Sequence, residues 1–387
     1  CGIEEVGLHE AANRRLAKDI PSLRTQPPFD ASAMDGFAVR QADVIELPTD
    51  LTIIGESRAG VPYEGSLGEG QAVRIFTGAV VPERADTIII QENTEFSGNS
   101  VQVLTGTPEG KFIRKAGLDF KEGEVILGSD DVLSPNRLAL VASMNYAKVP
   151  VRKNATVATI STGDELVLPG EATGPGQIIA SNTYGITASA KNCGANVIDM
   201  GLVADTKDAL REAFQSAISK GADVLITTGG ASVGDHDLVM PVAMEMGFEF
   251  EIAKIAMRPG KPFLFARYKY DGRTVYLTGL AGNPVSSLVA FNVFVKPLIN
   301  LLSGEPAEKL KPLPAVLGKD LEENDERAEY MRGTLEISAD GQRVATAFTK
   351  QDSSMLANLV RADCLIFRAV KAPAAKAGDP CEIVMIS

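Results

Sequence analysis

Residues 223–239 read DVLITTGGASVGDHDLV, and the fold of the chain is organised around them. Val224 to Thr227 is an apolar run, β-branched in three of four positions, which is the pattern of a buried parallel strand. Gly229-Gly230 ends it by admitting φ values closed to other residues. Ser232, Asp235 and Asp237 follow, and then a helical pattern of Leu238, Val239, Val242, Ala243 and Met246. Backbone N–H groups at such a strand-to-helix turn favour an anion, whereas carboxylates there repel one. A divalent cation between carboxylate and oxyanion resolves that conflict. Asp and Ser are also ordinary helix caps, so capping alone is the competing reading.

Working outward, residues 155 to 302 alternate strand and helix patterns. TVATIS precedes Asn182–Asn192, NVIDMG precedes Lys207–Lys220, and DVLITT precedes Leu238–Met246; FEIAKIA, PFLFARY, TVYLTG and a long helix from Pro284 to about Leu302 follow. This alternation predicts a doubly wound, mostly parallel sheet. Ligands bind such a sheet beyond the carboxyl ends of its strands. Four chemically rich loops fall there: Ser161–Glu165, the opening stretch, Met257–Pro262 and Gly279–Ser286. Their inventory is acidic (Asp164, Glu165, Asp235, Asp237), cationic (Arg258, Lys261) and hydroxylic (Ser232, Ser286), beside a helix that starts at Pro284. Acids with cations at a helix N-terminus suit a phosphate ester held with a magnesium ion.

The flanks read differently. Residues 1–24 carry a helical spacing at Leu8, Ala11, Ala12 and Leu16, and Pro27-Pro28 breaks it. PPFDASAMDGFAV then sets Asp30, Ser32 and Asp35 in a turn. LTIIGES, AVRIF, DTIIIQ and SVQVL predict a small β domain. Within it, FTGAVVP carries Thr77, and KFIRKAGLDF sets Lys111, Arg114 and Lys115 before Asp119, a basic group suited to phosphate or simply to solvent. Ser134-Pro135 opens a helix to Asn145. Residues 310–387 read as a last β-rich unit. The expected division is 1–28 with 120–153, 29–119 inserted, 154–304, and 310–387.

Composition sets limits on function. With 387 residues and 45% hydrophobic content the chain supports several cores. A net charge of −12 argues against nucleic acid or an anionic membrane as the partner. Four scattered cysteines without a CxxC pair suit a reducing cytoplasm and give no zinc site. His9 and His236 are the only histidines, so covalent Ser–His or Cys–His catalysis is poorly supported, and His236 reads as a solvated loop residue. No membrane-spanning stretch or signal peptide is evident. The opening at Cys1 without Met suggests a truncated start.

TTGGASVGDHD, MRPGKPFLFA, LAGNPVSS, PPFDASAMDGFAV and FTGAVVPERAD together resemble, in order and over nearly the whole chain, the motifs of the molybdopterin molybdenumtransferases, the molybdenum insertases of the MoeA and gephyrin E-domain type. The resemblance implies an elongated homodimer of four-domain chains with a MogA-like central domain and flanking β-rich domains. It implies a transferase that takes adenylated molybdopterin and molybdate, hydrolyses the adenylate with Mg2+ and releases molybdenum cofactor and AMP. Carried over by motif, Asp35, Asp119, Glu165 and Asp237 are the catalytic acids, and Asp235 and Asp237 hold the metal. Thr77, Arg114, Ser232, Arg258, Lys261, Asn283, Pro284, Ser286, Arg332 and Ser353 bind substrate. The site is shared between subunits, with a molybdopterin adenylyltransferase and molybdoenzymes as further partners.

Three positions depart from the family pattern. Arg258 stands where a Lys is frequent, Ala281 replaces a Pro, and Leu118 replaces an acid beside Asp119. Two other readings compete: an adenylyltransferase on the same central fold, and a non-catalytic scaffold of the gephyrin type.

Overall fold

The computed structural model describes residues 2–230, 237–305 and 312–386. The chain divides into one unit of Ile3–Val151 and another of Arg152–Ser387 with Cys1–Gly2.

In the first unit six strands, β1 (Gly36–Val39), β2 (Thr49–Ser57), β3 (Gln71–Ile75), β4 (Thr87–Ile90), β5 (Thr94–Ser97) and β6 (Ser100–Val103), form a sheet ordered β4-β1-β3-β2-β6-β5. Alternation sends Phe37, Val39, Leu51, Val101 and Val103 into one core, and Ala38, Ile75 and Ile88 into another. Gly36 of the AMDG motif is needed here, because a Cβ would sit 2.0 Å from the Ile89 carbonyl oxygen.

The expected helix over residues 1–24 does not form. Leu16 N–H donates to the Asp131 carbonyl and Ala17 N–H to that of Pro150, while Asn13 takes φ 61°. Ala11, Leu16 and Ile20 instead fill a core with Leu133, Val141, Val149 and Val151. Partners more than a hundred residues away override the local spacing. The helix α1 (Pro135–Ser143) forms as expected, its first turn capped by Ser134 Oγ accepting from the Arg137 N–H.

In the second unit β7 (Thr156–Thr162), α2 (Asn182–Asn192), β8 (Asn196–Val203), α3 (Lys207–Ser219), β9 (Val224–Thr228), α4 (Val239–Glu245), β10 (Glu249–Ile252), β11 (Phe263–Tyr270) and β12 (Arg273–Leu280) follow one another. The sheet order is β8-β7-β9-β12-β11-β10. The first three pairings are parallel and the last two antiparallel, so the sheet is mixed. The antiparallel pair β11–β12 turns at Asp271-Gly272, both with positive φ.

Along β9, Val224 and Ile226 enter a core shared with α2 and the helix that begins at Pro284, while Leu225 enters one shared with α3 and α4. That helix runs Pro284–Ala290, Phe291–Val295 in π-helical form, then Lys296–Leu302. By length and composition it is long and apolar enough to cross a membrane, contrary to the sequence reading. Val285, Val289, Phe291, Val295 and Ile299 are fully buried in the core. Each such side chain contributes roughly 1.5–3 kcal/mol by leaving water.

The last strands, β13 (Leu313–Leu317), β14 (Ala328–Ile337), β15 (Arg343–Ala347), β16 (Cys364–Arg368) and β17 (Pro380–Met385), are ordered β14-β15-β13-β17-β16. An added β14–β16 pairing closes the ring. Leu317, Ala345, Cys364, Ile366 and Ile383 fill it.

Candidate functional site

A cleft of about 610 Å³ opens at the carboxyl ends of β7, β9 and β12; Thr162, Glu165, Asn182, Thr228, Gly230, Asn283, Pro284 and Ser286 are among the residues lining it. Its floor depends on Gly229-Gly230. Gly229 has φ +87°, and a Cβ there would lie 2.1 Å from the Thr162 carbonyl oxygen. Ser161 Oγ, 2.8 Å from Thr228 Oγ1 and also bonded to Thr183, locks β7 to β9 and α2 beneath the cleft.

Asp237 stands beside this floor. Burial pushes its carboxyl up to about 6; the Val239 N–H, 3.1 Å away, opposes that rise, and the nearby charge of Asp205 adds to it. Asp205, which follows the carboxyl end of β8, accepts from Thr162 Oγ1 at 3.1 Å. It was missed from sequence, although the strand-end rule that selected the other loops applies to it equally. Ser232, Asp235 and His236 lie outside the described residues. Among the described residues no three His, Cys, Asp or Glu side chains cluster as a metal site.

The start of the Pro284 helix also lines the cleft. Asn283 Nδ2 donates to Ser353 Oγ at 3.2 Å, and the Val285 N–H donates to the Ser353 carbonyl. Ser353 therefore meets the cleft through Asn283. Asn182 Nδ2 donates to the Gly282 carbonyl at 2.7 Å and fixes the same loop. Lys261 is exposed next to the lining residue Pro262.

Two expected substrate cations have protein partners. Arg258 forks onto Glu329 at 3.0 and 2.8 Å and reaches Asp325 at 3.1 Å. The hydrogen bond to Glu329 raises its pKa, and the side chain pins the Met257–Arg258 strand to β14. Its donors tie the Met257–Arg258 strand to the barrel. Arg332 is fully buried. Its Nε donates to Gln351 and its Nη1 to the Asp352 carbonyl, while Nη2 has no partner among the described residues. Burial lowers its pKa.

The remaining expected residues gather on the first unit. Asp35 accepts from the Thr77 N–H at 2.7 Å and from Thr77 Oγ1 at 2.8 Å, bonds that hold its carboxyl below the usual range. Next to Thr77, a cleft of about 510 Å³ is lined by Arg24, Gln26, Pro27, Gly78, Arg114, Leu118 and Asp119, among others. The basic triplet is split: Lys115 pairs with Asp30 at 2.8 Å and Lys111 lies over the Phe112 ring, leaving Arg114 to the cleft.

Comparison with known proteins agrees across the chain. Residues 1–145 match the family model described as MoeA N-terminal region (domain I and II), 158–301 that of a probable molybdopterin binding domain, and 314–386 that of MoeA C-terminal region (domain IV). A molybdopterin molybdenumtransferase from Haemophilus influenzae is 37% identical over 94% of this chain and 89% of its own. One from Bacillus subtilis is 36% identical over 94% and 85%. A solved molybdopterin biosynthesis MoeA protein from Pyrococcus horikoshii superposes with TM-score 0.82 at 30% identity, covering 99% of this chain and 94% of that one.

Proposed function

The chain belongs to the molybdopterin molybdenumtransferase family, and from that membership and its cleft we propose that it inserts molybdenum into adenylated molybdopterin, hydrolysing the adenylate to yield molybdenum cofactor and AMP. The observation that carries this reading is the cleft at the ends of β7, β9 and β12, lined by Glu165 and the start of the Pro284 helix, with Asp237 beside its glycine floor. Acids facing a helix start suit a phosphate ester that carries a cation. Within this reading the sheet is the doubly wound, MogA-like domain of a four-part chain divided as the sequence suggests.

The donor chemistry fits magnesium. Asp237 and Asp205 are hard oxygen ligands, neither ion-paired to a Lys or Arg among the described residues, and the crowding of Asp237 is what a dication relieves. Asp237, with Asp235 outside the described residues, would hold it. Bound there, magnesium would neutralise phosphate charge as the anhydride is hydrolysed. Lys261 supplies positive charge at the rim, Asn283 and Ser286 orient the substrate, and Glu165 serves as a second acid. Ser353 and the unpartnered Nη2 of Arg332 suit the molybdate oxyanion. In a site shared across the homodimer, Asp35, Thr77, Arg114 and Asp119 assist.

The reading includes a cytoplasmic homodimer with a shared site, receiving substrate from a molybdopterin adenylyltransferase and passing cofactor to molybdoenzymes. Free Cys193, Cys364 and Cys381 suit a reducing compartment. Mixing Asp35→Ala and Asp237→Ala chains tests sharing: mixed dimers regain up to one working site, and no recovery in well-mixed dimers would contradict it. Incubation with adenylated molybdopterin, molybdate and Mg2+, followed by reconstitution of an apo-molybdoenzyme, tests insertion. Active molybdoenzyme is expected; adenylated product formed from ATP and molybdopterin instead would replace insertion with adenylation.

A further inference from the structure

We propose that Arg24 joins Arg114 in a two-arginine site for a tetrahedral dianion on the first unit, a role that deepens the insertase reading and rests on it. Both line the 510 Å³ cleft with Asp119, and neither makes a hydrogen bond or ion pair with its guanidinium among the described residues. The contrast with a neighbour matters. Lys115, adjoining Arg114, pairs with Asp30 at 2.8 Å. In a chain of net charge −12, two guanidinium groups with no protein partner among the described residues line one concavity with a single carboxylate, a local positive balance suited to an anion.

The backbone holds this cleft rigidly. Arg114 pairs across from Ala31, and Gln26 bridges to Phe120, with Asp119 N–H donating to the Gln26 carbonyl at 3.0 Å. Gly117 N–H donates to the Pro27 carbonyl at 2.9 Å, so the loop carrying Leu118 is tied to the Pro27-Pro28 segment. Leu118 is 66% exposed and adds no charge to the rim, which leaves Asp119 as the single carboxylate lining the cleft. A phosphate or molybdate offers the oxygen geometry that guanidinium forks recognise. Its source is either the free oxyanion or the phosphate of the released AMP.

Equilibrium binding of molybdate and, separately, of AMP to the full chain decides the matter. Arg24→Gln and Arg114→Gln are each expected to weaken one probe at least about tenfold, with Arg24→Lys retaining part of the affinity and thermal unfolding unchanged. Loss of molybdate binding identifies the free oxyanion, and loss of AMP binding the nucleotide phosphate. Wild-type affinity for both probes in Arg24→Gln, or absence of binding to wild-type protein, overturns the proposal. The readout is binding and not turnover, so a protein that binds the anion but releases no AMP would sink the insertase reading alone.

Discussion

Arg258 and Glu329 meet in a bidentate pair, Nε to Oε1 at 3.0 Å and Nη2 to Oε2 at 2.8 Å, which joins the strand leading into the cleft to the terminal barrel. A lysine carries the charge but not the fork. Arg258→Lys is therefore expected to cost about 1 kcal/mol, the usual scale for a partly exposed pair, and to lower Tm while leaving substrate KM within about twofold. Thermal unfolding with steady-state kinetics checks this. A tenfold rise in KM at unchanged Tm would return Arg258 to the substrate.

Thr77 supplies both hydrogen bonds that hold Asp35 in its ionised form. A carboxylate depressed on folding stabilises above its unfolded value of 3.8, and that contribution disappears as pH falls through the folded value. Thr77→Val keeps only the amide bond. Its stability is expected to fall below wild type near neutral pH and to converge with it in strong acid. A stability gap independent of pH would show that the Asp35 contact is not the cause.

Asp237 behaves in the opposite sense. Its folded carboxyl titrates near 6 against 3.8 unfolded, so above pH 6 the ionised group opposes folding. That cost is relieved as pH falls from about 6 toward 3.8. Magnesium is expected to raise Tm more at pH 7.5 than at pH 5, and Asp237→Asn to abolish the difference. An equal magnesium shift in the Asn variant would remove Asp237 from the metal site.

Gly229 admits no side chain. A Cβ would approach the Thr162 carbonyl oxygen to 2.1 Å with φ held at +87°, and backbone cannot step aside as a flexible side chain does. Gly229→Ala is expected to destabilise the second unit by at least about 2 kcal/mol, read from denaturant midpoints, and to abolish AMP release. Unchanged midpoints would mean that the β9 turn relaxes freely.

Much of this was legible in the sequence wherever local rules agree with burial. The strand at Val224–Thr228 and the capped helix at Pro135 are such places. Legibility failed where distant partners decide. Leu8 to Leu16 mimics a helix by spacing, yet the N–H groups of Asn13 and Leu16 bond to the Leu133 and Asp131 carbonyls. The β11–β12 hairpin was signalled by Asp271-Gly272 but outweighed by the α/β alternation before it. Charge pairing was least legible. Nothing in KFIRKAG says that Lys115 faces Asp30, and Arg24 was hidden inside the expected helix. In the loop that suggested the fold, Gly229 and Gly230 both take positive φ, and Gly230 lies against the Asp237 carboxylate.

The most direct test is AMP release. Wild-type protein supplied with adenylated molybdopterin and Mg2+ is expected to release AMP in proportion to added molybdate, and Asp237→Ala to release at least a hundredfold less while its thermal unfolding stays cooperative. No molybdate-dependent AMP from wild-type protein, with a known insertase active in the same assay, would contradict the account.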